Sequence, residues 1–95
     1  MLHMIIELTV KDESNVATVT ELLREQGRLS REEPGCVRFE VYHSKNDPRM
    51  FVLNEWWESQ ETLDVHRTAK AYTTIYKPNV LPLVERVAHP ATLLE

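Results

Sequence analysis

The chain has 95 residues, 42% apolar and 27% charged, with a formal net charge of −4. That is the composition of one ordinary globular domain over 1–95, short enough to bury only about 60–65% of its unfolded surface, so a monomer has a thin core. Eleven basic residues scattered among fifteen acids exclude the clustered positive charge that a nucleic-acid or anionic-membrane partner demands.

Leu2 to Val10 sets Leu2, Met4, Ile6, Leu8 and Val10 against His3, Ile5, Glu7 and Thr9, a period of two that predicts a strand. It has neither a basic leader nor a small-residue cleavage site, and no apolar run approaches the roughly 18–20 residues that span a bilayer, so a cytoplasmic protein is expected. Asp12 to Asn15 supplies helix-start chemistry, and Val16, Val19, Leu22, Leu23, Gln26 and Leu29 then share one helical face. Gly27 costs that helix about 1 kcal/mol relative to alanine. Glu33-Pro34-Gly35 ends it. Cys36 to Ser44 is the second expected strand, with Val37, Phe39, Val41 and His43 opposite Arg38, Glu40, Tyr42 and Ser44. A turn over Lys45 to Arg49 leads to a third, Met50 to Trp57, bulky on both faces. Ser59 is placed to cap a second helix carrying Leu63 and His66. That helix breaks near Thr68 and restarts with a stripe of Tyr72, Ile75, Tyr76 and Val80, its end made irregular by Pro78 and Pro82. Arg86 to Leu94 reads as a last strand, confined by Pro90 to an edge or a bulge.

The order β-α-β-β-α-β is the ferredoxin-like, split βαβ arrangement: an α+β fold with a four-stranded antiparallel sheet and both helices on one face. The other face keeps apolar residues from the first and third strands, and an isologous homodimer packed sheet against sheet is the expected cover.

Two glycines, Gly27 and Gly35, cannot form a phosphate-cradling loop, which removes nucleotide fingerprints. Cys36, the single cysteine, has no disulfide partner within the chain and no neighbour pattern that lowers a thiol pKa. His3, His43, His66 and His89 show no metal-ligand spacing, so no metal is expected. His66, on the inner face of the second helix, suits a general base, since an imidazole titrates near neutral pH; the competing reading is a core histidine bonded to backbone. Glu55, between aromatic residues on the third strand, needs a partner: it either holds His66 or bridges to Arg38 or Arg67. Trp57 reads as a packing anchor or a platform for substrate, and Tyr72 and Tyr76 as core stripe or hydroxyl donors.

The segments Glu33-Pro34-Gly35-Cys36-Val37-Arg38-Phe39-Glu40-Val41, Phe51-Val52-Leu53-Asn54-Glu55-Trp56-Trp57-Glu58-Ser59 and Leu63-Asp64-Val65-His66 resemble the antibiotic biosynthesis monooxygenase superfamily over nearly the whole chain. The resemblance implies a dimeric α+β barrel with a cleft between helices and sheet in each subunit. It also implies one of several activities: oxygenation of quinols or polyketide phenols without metal or flavin, haem degradation, or isomerisation of a phosphorylated autoinducer. Haem-degrading members carry asparagine, tryptophan and a ligand histidine where this chain has Ile6, His66 and Tyr76, which counts against that branch. The quinol-oxidising and isomerising branches carry a second histidine where this chain reads Thr68-Ala69-Lys70-Ala71-Tyr72, leaving His43 as the candidate to replace it. The expected function is therefore a cofactor-independent monooxygenase, an oxidoreductase acting on a small quinol or phenol-like molecule. His66, Glu55 and His43 are its catalytic candidates, and Asn54, Trp57, Tyr72 and Phe39 its substrate-binding candidates. The alternatives are a proton-transfer enzyme or isomerase on a polar or phosphorylated metabolite, and a non-catalytic dimer that binds a small molecule.

Overall fold

The alternation at the start of the chain becomes β1, Leu2–Val10, whose Met4, Ile6, Leu8 and Val10 are buried. The computed structural model describes residues 1–95. Asp12 caps a single turn by accepting from Ser14 N at 3.0 Å, and α1 runs Val16–Arg31. β2 spans Cys36–His43, β3 spans Met50–Trp57 and β4 spans Val84–Ala91. Between β3 and β4 lie the short helix α2, Gln60–His66, and α3, Ala71–Val80, wound as a π-helix around Pro78. The sheet is antiparallel throughout, in the order β2-β3-β1-β4. This is the expected ferredoxin-like architecture. No helix is long and apolar enough to cross a membrane.

The core lies between one face of the sheet and the helices, where Leu8, Phe39, Leu53 and Trp57 meet Leu23 and Val80. Each such side chain contributes roughly 1.5–3 kcal/mol by leaving water. α1 approaches β2 closely at Gly27: a β-carbon there would sit 3.3 Å from Arg31 Nη1 and 3.4 Å from Val41 Cγ2. The helix thus gives up intrinsic propensity for closeness to the sheet.

Three expectations are corrected. β2 carries a bulge between Cys36 and Arg38, so Val37 leaves the Phe39 face and stands 51% exposed beside Arg38 and Trp56. β4 starts two residues earlier than expected and stops at Ala91; it pairs only with β1, and as an edge strand it accommodates Pro90. Asn54 and Trp56 fall on the face of the sheet away from the helices. There Ile5, Tyr42, Val52, Trp56 and Val87 have no covering element.

Candidate functional site

The site is built where β3 runs into α2. Ser59 takes an extended backbone and closes a reciprocal cap: its Oγ accepts from Thr62 N at 3.2 Å, and its own N donates to Thr62 Oγ1 at 3.1 Å. Such a cap stabilises a helix start by about 1 kcal/mol, which a helix as short as α2 needs. Helical spacing then puts Leu63 and His66 together on the buried face.

The His66 ring packs on Trp57 with centroids 4.4 Å apart, and Phe39 and Tyr72 stand at 5.9 and 5.8 Å. Its Nδ1 lies 2.7 Å from Glu33 Oε1. Glu33 reaches it because the E-P-G turn is fastened to the start of α2. Gly35 adopts φ +84°, its carbonyl accepts from Glu58 N at 2.9 Å, and a β-carbon at Gly35 would collide with the Thr62 side chain. Only glycine satisfies both demands.

Glu55 approaches from the sheet side, 3% exposed, and its Oε1 accepts from Trp57 Nε1 at 3.0 Å. Burial pushes its carboxyl above the ordinary range, against the hydrogen bond from Trp57 and the pull of His66, Arg86 and Arg67. Burial also pushes Glu33 up to about 7. It pushes His66 down, opposed by Glu55 and reinforced by Arg67. A small cavity of about 10 Å³, room for roughly one water, is walled by His66, Glu55, Gln26, Tyr72, Tyr76 and Arg86 among others. Arg86 Nε donates to Tyr76 Oη at 3.0 Å, while Gln26 Oε1 is buried without a partner. No three His, Cys, Asp or Glu side chains converge as a metal-binding group.

A family model described as antibiotic biosynthesis monooxygenase matches residues 1–78. The chain belongs to this family. The uncharacterised YjcS protein of Bacillus subtilis (strain 168) is 31% identical over 62 residues, 62% of this chain and 59% of that protein, so this chain spans less than two thirds of that relative's length. A solved antibiotic biosynthesis monooxygenase superposes with a TM-score of 0.90 at 24% identity, covering 100% of both chains. A Nitrosomonas europaea protein whose description places it in the same family gives 0.89 at 26% identity, again covering 100% of both chains.

Within this antibiotic biosynthesis monooxygenase fold, five of the seven expected site residues come together: His66, Glu55, Trp57, Tyr72 and Phe39. Two do not. His43 stacks on Phe51 at 4.3 Å, with Nε2 2.7 Å from the Pro48 carbonyl, exposed at the far end of β2. It shares the face of Phe39, but four residues of extended chain put it roughly 13 Å away. Asn54 points out of the opposite face, its Oδ1 accepting from His3 Nε2 at 2.5 Å and its Nδ2 donating to Glu40 at 3.0 Å. Neither expected bridge to Glu55 forms as an ion pair: Arg38 pairs with Glu40 and Arg67 with Asp64. Sequence reasoning missed Glu33 and Arg86, and it counted Gln26 merely as part of a buried stripe. A glutamine on an otherwise apolar helix face was the available signal for the last.

Proposed function

We propose that this family member is a cofactor-independent monooxygenase acting on a small quinol or phenol-like substrate. The observation that supports it most is the buried His66 imidazole, paired at Nδ1 and edged by aromatic rings on a cavity that also reaches Arg67 and Arg86. In this reading Nε2 takes the phenolic proton, and the arginines favour the resulting anion. The anion passes an electron to O2, the two radicals combine at a ring carbon, and the peroxide loses water. One oxygen atom stays on the substrate as a carbonyl and the other leaves as water, with all four electrons supplied by the substrate. Trp57, Phe39 and Tyr72 form the walls, and Glu55 bounds the cavity on the sheet side. A cavity with room for about one water does not hold an aromatic ring, so turnover in this reading includes an outward movement of α3, which carries Tyr72 and Tyr76.

The same reading assigns a cytoplasmic homodimer joined through the uncovered sheet face, supported by the apolar residues there. A second reading, proton transfer on a polar or phosphorylated metabolite, draws on the Arg67 and Arg86 pair. Turnover of a quinol panel under isotopically labelled O2 separates them. The oxygenase incorporates one labelled atom, is silent without oxygen and loses at least about a hundredfold in His66→Ala. Product formed under anaerobic conditions, or undiminished turnover in His66→Ala, contradicts it.

A further inference from the structure

A neutral imidazole carries its proton on one nitrogen, and the partner of that nitrogen decides which one remains basic. His66 Nδ1 and Glu33 Oε1 stand 2.7 Å apart, with side chains 4% and 16% exposed. We propose that Glu33 is the positioning residue of the site: its carboxylate keeps the proton of neutral His66 on Nδ1, leaves Nε2 basic, and shares with His66 a single titration step that switches the base off. The catalytic meaning of this pairing rests on the base role proposed for His66; the pairing itself requires no substrate.

The groups around the imidazole single out Glu33. From β3, Glu55 commits Oε1 to Trp57. At the C-terminal cap of α2, Arg67 adjoins it in sequence and pairs with Asp64. From α3, Tyr72 packs edge-on, while Tyr76 is engaged by Arg86 of β4 and burial holds its hydroxyl up to about 12. From β2, burial and the nearby acids push the Cys36 thiol up to about 11, so it stays neutral. Glu33 alone makes a hydrogen bond to the ring.

When the pair takes up a proton, two outcomes are open and both disable Nε2. On the imidazole the proton makes a cation with both nitrogens occupied. On Glu33 the acid donates to Nδ1, and the ring proton then resides on Nε2. The E-P-G turn gains a purpose from this: the left-handed Gly35, seated on Thr62 and bonded to Glu58 N, carries the carboxylate to the histidine.

Long-range nitrogen–proton NMR on the His66 ring across neutral pH tests the assignment in the wild type, Glu33→Gln and Glu55→Gln. The wild type is expected to show the proton on Nδ1 at alkaline pH and one protonation step. Glu33→Gln should lower the midpoint by about one pH unit or more, the effect of losing an opposite charge at hydrogen-bond distance, and Glu55→Gln should move it less. Should Glu33→Gln not fold, Glu33→Asp keeps the charge one methylene further back and should lower the midpoint by a smaller amount. A ring proton on Nε2 at alkaline pH, an unmoved midpoint, or a larger effect from Glu55→Gln overturns the proposal. A protein that passes this test but consumes no O2 keeps the pairing and loses the oxygenase; one that consumes O2 but fails here keeps the oxygenase and loses the pairing.

Discussion

Glu33 and Glu55 flank one imidazole, and burial raises both carboxyls, but of the two only Glu33 hydrogen-bonds the ring. A carboxyl raised from its ordinary 4.5 to about 7 binds more protons folded than unfolded between those values. Its contribution to stability is full below 4.5 and is lost as pH rises through about 7. His66 runs the other way: lowered by burial from 6.5, it contributes above that value and loses its contribution as pH falls through the folded value. Glu33→Gln removes the first contribution. The melting-temperature advantage of the wild type over this variant should therefore be larger in mild acid and shrink as pH climbs through about 7; a difference independent of pH contradicts the assignment. His66 was legible in the sequence because Ser59 fixes the helix start and Leu63 fixes its face. Glu33 was not, since its contact spans 33 residues and depends on a turn whose direction no periodicity reports. His43 failed for a related reason: alternation assigns a face, not a distance along it.

The elements were mostly readable because their signals are local. β1 and β3 have the expected bounds, and α1 ends where Glu33-Pro34-Gly35 says it should. The bulge in β2 was hidden, because the residues Cys36-Val37-Arg38 alternate as well with it as without it. α3 was announced by the stripe of Tyr72, Ile75, Tyr76 and Val80, and Tyr76 and Val80 are indeed buried, but its wide winding was not foreseen. Proline lacks an amide proton and crowds the preceding turn, so Pro78 weakens the last turns of α3. The substrate entry proposed above needs this element to yield before the sheet does. Hydrogen exchange should accordingly be faster at the amides of α3 than at those of β1 and β3. An α3 protected as strongly as the central strands contradicts α3 as the entry.

At the scale of the molecule, the helices cover one face of the sheet and leave the other bare, with Tyr42 and Val87 each 52% exposed. Strand alternation in the sequence already showed both faces to be apolar; what covers the second face depends on a surface outside the chain. If the cover is a second copy, the wild type should sediment as a dimer. Val52→Lys, which places a charge in the middle of that face on an inner strand, should sediment as a folded monomer; a monomeric wild type contradicts the homodimer. The central claim, that His66 is the base of an oxygenase requiring no cofactor, is tested most directly by oxygen uptake. The assay uses flavin-free protein with a chelator present and a quinol substrate, and compares the wild type with His66→Ala across neutral pH. The account predicts uptake that rises with pH across the neutral range, as the Glu33–His66 pair sheds its proton, and is absent from the variant. Equal uptake by the variant, or uptake that falls over that range, contradicts it.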